Sequence, residues 1–325
     1  MENIQWGIIG CGNVTEMKSG PAFNKVEDSS LVAVMRRNAA KAKDYALRHH
    51  VPNWYDDAKK LINDVNVNAI YIATPPSSHE QYTMEAIAAG KPVYVEKPMT
   101  LNFESAKRMM KAATENSVKL SIAHYRRAQP YFNKIKELIF ENTIGKISVV
   151  QLEFSKKLLL KEELALTGNS WRVDPVISGG GLFHDLAPHQ LDLMYYFFGP
   201  VTNANGISVN QAAMYKSDDV VAGNILFQSG VVFQGLWRFN SSEAGEKDVC
   251  KITGSKGEIS FSFFDEQKIV ISKNGDTQNI SFTPPRHVQQ PMIEKVVQYF
   301  LDKGPNPCSA EDGAEVMQLL DAFTS

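Results

Sequence analysis

The chain has 325 residues, enough for two domains and too many for one of average size. Its 43% hydrophobic and 22% charged residues are ordinary globular usage, and a net charge of -2 leaves no basic excess to draw a nucleic acid. No apolar stretch reaches the roughly 18 residues of a membrane helix, no basic-then-apolar leader opens the chain, and three scattered cysteines form neither a metal-type pair nor a disulfide framework, so a reducing, cytoplasmic setting is expected.

The first 124 residues alternate short apolar runs with helical patterns. The runs Gln5–Gly10, Leu31–Met35, Ala69–Thr74, Pro92–Glu96 and Lys119–Ala123 are short, β-branched or aromatic, and bounded by turn residues. Continuous apolar runs imply strands covered on both faces, as in a parallel sheet. Helices are predicted over Ala39–His49, Asp57–Asn63, Ser78–Ala89 and Phe103–Asn116, with Ser77 or Ser78 as a cap and Gly90 closing the third. His49-His50 at a helix end serve only the helix dipole. This alternation predicts a doubly wound α/β domain over 1–124.

From about Ile147 strands follow one another: Ile147–Ser155, Val220–Gln228, Val231–Phe239, Gly257–Phe263, Lys268–Lys273 and Asn279–Thr283, with Ser229-Gly230 as a hairpin turn. Helices are predicted near Leu186–Phe198, Gln290–Leu301 and Ala310–Phe323. Residues 125–325 therefore read as an α+β domain with a large, mostly antiparallel sheet, whose C-terminal helices are free to pack back on the first domain.

The first strand runs into Gly10-Cys11-Gly12-Asn13-Val14-Thr15. Gly10 permits the tight turn and Gly12 lets the backbone approach a pyrophosphate; the usual third small residue is Thr15. At the start of a strand-helix series this marks dinucleotide binding, with Asn13 and Val14 in the same turn. Gly20-Pro21 should break the first helix, and Lys18 reads as solvated. The second strand ends Val34-Met35-Arg36-Arg37-Asn38, without the acid that holds the ribose of NAD. Arginine there suits a 2′-phosphate, Arg36 before Arg37, so NADP(H) is the preferred coenzyme and NAD(H) the second.

Three further motifs make a family pattern: Thr74-Pro75-Pro76-Ser77-Ser78-His79, Glu96-Lys97-Pro98, and Gly179-Gly180-Gly181 running through Asp185 and His189 to Asp192. With Gly10-x-Gly12, in this order and spacing, the chain resembles the glucose-fructose oxidoreductase/inositol dehydrogenase family over essentially its whole length. The resemblance implies that Lys97 stands beside nicotinamide and substrate, and that Asp185 and His189 are the family's aspartate and histidine. It implies that Thr74, Pro75 and His79 line the cofactor, with Glu96 in the same segment. Tyr125-Arg126 and Trp171-Arg172 then fall on the substrate side. Thr15 and Pro188 are minor departures from the family pattern.

The expected reaction is hydride transfer between a nicotinamide and a sugar, cyclitol or related polyol; a cyclic dihydrodiol or another small carbonyl compound, and a non-catalytic NADP(H) sensor, are the alternatives. A histidine with a pKa near 6.5 suits proton transfer, so His189 takes that role and Lys97 donates to the alkoxide-like oxygen. Asp185 could cap the helix, orient substrate or support His189. On a helix, Asp185, His189, Asp192 and Tyr196 share one face, with Leu191, Met194, Tyr195 and Phe198 as the opposite buried stripe. His184, Asp185, His189 and Asp192 could chelate a metal, but such an enzyme needs none, and none is expected. The strand Val231–Phe239 carries apolar groups on both faces, so a homodimer, or a tetramer of dimers, is expected beside a small-molecule substrate, with no nucleic-acid or membrane partner.

Overall fold

The computed structural model describes residues 2–324. They form two compact units. The first runs to Gln129 and takes in Pro285–Glu315; the second holds Pro130–Pro284 and the chain from Val316.

The first unit begins β1 (Ile4–Ile9), α1 (Asn13–Met17), β2 (Ser29–Met35), α2 (Ala39–Arg48), β3 (Asn53–Tyr55) and α3 (Ala58–Ile62). It continues β4 (Ala69–Ile72), α4 (His79–Ala88), β5 (Val93–Val95), α5 (Phe103–Glu115) and β6 (Leu120–Ile122). The strands form one parallel sheet in the order β3-β2-β1-β4-β5-β6. The order reverses between β1 and β4, and the crevice at such a switch point, beyond the carboxyl ends of the strands, is where this fold takes its ligand. Ile4, Trp6, Ile8 and Ile9 are completely buried, as a strand covered on both faces requires. The edge strand β3 carries no apolar run and was not expected from the sequence.

The second unit begins α6 (Pro130–Phe140), β7 (Ile147–Lys157), α7 (Lys161–Leu166), α8 (Pro175–Ser178) and α9 (Gly181–Phe198). Then come β8 (Val201–Val209), β9 (Val220–Phe227), β10 (Val232–Ser241), β11 (Lys247–Gly254), β12 (Gly257–Phe261), β13 (Lys268–Lys273) and β14 (Asp276–Ser281). Eight strands form one sheet in the order β14-β13-β12-β11-β7-β10-β9-β8, antiparallel except for the β10–β7 pair. Ser229-Gly230 makes the expected β9–β10 turn, with Gly230 at φ +83°. Two of these strands, β8 and β11, lie outside the sequence expectation. β8 is an edge strand with exposed asparagines, and β11 places Asp248 and Cys250 where a run of aliphatics would have flagged it. α6 and α7 were likewise unexpected.

One face of this sheet is packed. Phe154, Ile225, Phe233, Trp237, Ile252 and Ile269 point inward and are essentially inaccessible. Opposite them the strands carry a mixed face with Leu226 and Val249 about two-fifths exposed. α9 corrects two expectations. It starts at Gly181, five residues before the predicted start at Leu186. It is also buried on nearly every side, Asp185, His189 and Asp192 included, so it has no separate polar and apolar stripes.

The last helices are α10 (Gln290–Phe300), in the first unit, and α11 (Ala310–Thr324), whose residues are shared between the units. Lys119 ties the end of α10 down, donating to the carbonyls of Tyr299 and Phe300 and pairing with Asp302 at 2.6 Å. Phe300 lies 5.6 Å from Trp6 in the aromatic core of the first unit.

Candidate active site

In the first unit the turn after β1 is built from backbone. The N–H groups of Gly10 and Cys11 both donate to the Met35 carbonyl, closing the turn onto β2. Gly10 has φ +97°, and a Cβ there would lie 2.8 Å from the Thr74 nitrogen. Conformation and space both demand glycine. Gly12 differs: its φ of -138° suits any residue, and a Cβ would meet only the Gly10 oxygen, at 3.8 Å. Nothing among the described residues requires glycine at that position. The open space there fits a pyrophosphate approaching the backbone. Thr15 replaces the usual small third residue because its hydroxyl donates to the Gly12 carbonyl at 2.9 Å.

The helix that follows is only five residues long and ends before Gly20-Pro21, as the sequence indicated. α2 pins it. Tyr45 donates to the Thr15 carbonyl, and Arg48 makes a two-pronged pair with Glu16. His49 reaches the same carboxylate at 2.8 Å, which corrects its reading as a mere dipole partner. Arg48, with His49 assisting, holds the Glu16 carboxyl down at about 2. Arg36 lies across the glycine turn, donating to the Cys11 carbonyl at 3.3 Å. It is half-buried and has no ion pair among the described residues, whereas Arg37 is exposed.

Thr74 and Pro75 are half-buried at the end of β4. His79 lies behind them, fully buried, with Nε2 2.7 Å from the Thr74 carbonyl and Nδ1 2.9 Å from the Pro98 carbonyl. Burial lowers its pKa. Both ring nitrogens thus face carbonyls of the protein's own loops, and His79 ties the two loops together from within. Glu96 is also turned inward. Its carboxylate is buried, accepting from Tyr71 at 2.5 Å, from Gln289 at 2.7 Å and from the Lys97 N–H at 3.3 Å. It fixes the segment from within and leaves the exposed face to Lys97, which is half-buried just past β5. The peptide bond after Lys97 is cis. Tyr125 and Arg126 open a buried 3-10 turn, Arg126 lying 5.5 Å over the Tyr125 ring. His124, just before it, is held well below its usual pKa by burial, then by the nearby Arg127 and Lys97 charges.

In the second unit the glycine run sets the start of α9. Gly181 has φ +76° and the Ser217 hydroxyl where a Cβ would sit. At Gly180 the His184 ring occupies that space. Burial pushes the His184 pKa down to about 4. Asp185 and His189 follow one helical turn apart, both under 10% exposed. Arg172 forms an ion pair with Asp185 and stacks 4.7 Å over the Trp171 ring. Asp185 is therefore an anion paired with arginine, four residues inside the helix, and not its cap. His189 stands 5.7 Å from the Phe264 ring, nearly perpendicular to it. Among the described residues no group of three or more His, Cys, Asp or Glu side chains is arranged to hold a metal ion.

Comparison with known proteins gives this arrangement its context. Residues 4–124 match the model of the oxidoreductase family with an NAD-binding Rossmann fold, and residues 132–260 match the GFO/IDH/MocA C-terminal domain. Oxidoreductase P35 of Formosa agariphila is 50% identical over 98% of both chains. The chain belongs to the GFO/IDH/MocA oxidoreductase family. Among other relatives, a 1,5-anhydro-D-fructose reductase of Ensifer adhaerens is 28% identical over 71% of this chain and 68% of its own. A trans-1,2-dihydrobenzene-1,2-diol dehydrogenase of Sus scrofa is 26% identical over 78% of this chain and 72% of its own. A levoglucosan dehydrogenase solved with NADH and L-sorbose superposes with a TM-score of 0.87 at 20% identity, covering 99% and 96% of the two chains.

This GFO/IDH/MocA chain is thus an oxidoreductase built on an NAD-binding Rossmann fold. Within its first unit, Gly10, Gly12, Asn13, Val14 and Arg36 share the turn after β1, and Thr74 reaches it through Gly10. Within its second unit, Trp171, Arg172, Asp185 and His189 gather at the first half of α9. Sequence reasoning missed Phe264, which touches His189, and Asp248, which holds Phe264; no motif marks either. No helix among the described residues is long and apolar enough to cross a membrane.

Proposed function

We propose that this protein is an NADP(H)-preferring oxidoreductase that interconverts a hydroxyl and a carbonyl on a sugar, cyclitol or related polyol. The observation that carries the proposal is the pairing of an open Gly12 with an Arg36 guanidinium laid across the same turn and committed to no carboxylate. The first fits a pyrophosphate, and the second offers a fork of donors to a 2′-phosphate. Gly10, Asn13, Val14, Thr74 and Pro75 complete this cofactor surface, with Arg37 as a second, exposed cation.

Bound nicotinamide would supply or accept the hydride. What remains for the protein is one proton and one developing charge at the substrate oxygen. Lys97 donates a hydrogen bond to that oxygen, and His189 gives or takes its proton. Asp185, Arg172 and Trp171, with Tyr125 and Arg126, orient the substrate. An ion pair and a histidine at a largely buried site favour a ligand rich in hydroxyls, since buried polar groups need partners. The names of the fructose-derivative reductase and the dihydrodiol dehydrogenase among the relatives support an alcohol or ketone on a ring. Three buried cysteines, none in a disulfide among the described residues, suit a cytoplasmic setting.

The mixed outer face of the second sheet supports a homodimer, or a tetramer of dimers. Ile207 is 71% and Val209 44% exposed, on the same sheet face as Leu226 and Val249. A monomeric mass by light scattering at micromolar concentration would refute it.

The functional test follows coenzyme absorbance with NADPH and NADH against ketoses, aldoses and inosones, and with NADP+ and NAD+ against dihydrodiols. A roughly 10- to 150-fold preference for NADPH is expected, the worth of about 1.5–3 kcal/mol in charge-assisted hydrogen bonds, and Arg36→Ala should abolish it. Equal use of both coenzymes by the wild type would end the preference. Binding of NADPH without turnover of any compound would favour a sensor.

A further inference from the structure

β11 carries an acid on its inward face. Asp248 stands opposite Phe154 of β7 in the sheet register and is 5% exposed. Burial pushes its carboxyl pKa up, and three backbone N–H groups pull the other way. Those donors are consecutive. Oδ2 accepts from Phe263 at 2.9 Å, from Phe264 at 2.5 Å and from Asp265 at 3.2 Å. All three lie in the 262–267 connection between β12 and β13. Tyr131 grips the same connection next door, its hydroxyl donating to the Ser262 carbonyl and accepting from the Ser262 N–H.

A buried carboxylate is an expensive way to stabilise a sheet; an aliphatic residue would pack there without desolvation cost. What a carboxylate adds is a fixed anchor for several N–H groups at once. The segment so anchored holds Phe264, whose ring lies 5.2 Å from Phe154 and 5.7 Å from His189. The ring torsion of a histidine is broad and soft, and proton transfer degrades quickly when donor and acceptor are misaligned. A flat wall beside the imidazole narrows that torsion.

We propose that Asp248 is a positioning residue for His189. It locks the β12–β13 connection and thereby sets Phe264 as the wall against which the imidazole is oriented. The proposal rests on the reading of His189 as the proton-transfer group.

The test needs no substrate. The ring C–H resonances of His189 are followed by NMR in the full-length protein and assigned by their loss in His189→Gln. Phe264→Leu should shift them by removing a nearby ring current. Asp248→Ala should shift them the same way, and should add nothing in the Phe264→Leu background. Unmoved His189 resonances in folded Asp248→Ala, or shifts that simply add in the double variant, overturn the proposal. Should Asp248→Ala not fold, Asp248→Asn keeps one acceptor oxygen and loses the charge. Its resonances should move part of the way, and unmoved ones overturn the proposal equally. Wild-type turnover in His189→Ala would instead overturn the functional reading and leave the clamp result standing.

Discussion

The molecule has two glycine-rich helix starts, and they work in opposite ways. At the first, Gly10 is packed tight against Thr74 while Gly12 leaves open space, and the helix beyond them is five residues long and held from outside by Tyr45, Arg48 and His49. At Gly179–Gly181 the space is filled by the His184 ring and the Ser217 hydroxyl, and the helix runs for 18 residues through the core. Similar composition at two helix starts thus leaves an open surface in one unit and makes tight internal packing in the other. What separates Gly12 from Gly180 and Gly181 is whether a Cβ would meet the protein's own atoms.

The sharpest way to break this contrast is to fill both. Gly12→Val should leave the melting temperature nearly unchanged and weaken NADPH binding by at least about 100-fold, since the side chain projects where the pyrophosphate approaches. Gly180→Ala should do the reverse, costing about 1–3 kcal/mol of stability through overpacking against His184. Calorimetry with an NADPH titration on each variant reads both. A destabilised Gly12→Val that still binds would dissolve the contrast.

A smaller effect sharpens it further. His184 is neutral in the folded protein at pH 5, with a pKa of about 4 against 6.5 for the ordinary group. The unfolded chain binds the extra proton between those values. Stability is therefore full above about pH 6.5 and falls as the pH drops toward 4, His184 alone removing about 2 kcal/mol by pH 5. His79 and His124, both lowered by burial, push the same way. Urea unfolding at pH 7 and pH 5 should show a smaller difference in His184→Leu than in the wild type. An equal difference in both would take His184 out of the acid response.

The contrast also explains what the sequence made legible. The turn after β1 is local: its residues are consecutive, its reason is backbone shape, and its motif was readable. The doubly wound unit followed from apolar runs, except for β3, whose Asn-Trp-Tyr edge strand has no run to read. The glycines before α9 were recognisable only as a family pattern, because their reasons lie elsewhere: Ser217 arrives from a loop 36 residues on. His79 and Glu96 carry the right motif yet face inward, and only the carbonyls and donors around them reveal it. Asp248 sits in a strand hidden by its own polar inward residue.

The proposed function divides binding from chemistry: the first unit's turn would hold the coenzyme, and His189 in the second would move the proton. Titrating NADPH into His189→Ala by fluorescence, then following turnover of the same sample, tests that division most directly. The expected result is a Kd within about twofold of wild type and a kcat lower by at least about 100-fold, the usual worth of a positioned acid-base group. A kcat like that of the wild type, or a loss of NADPH binding to match the loss of turnover, would contradict it.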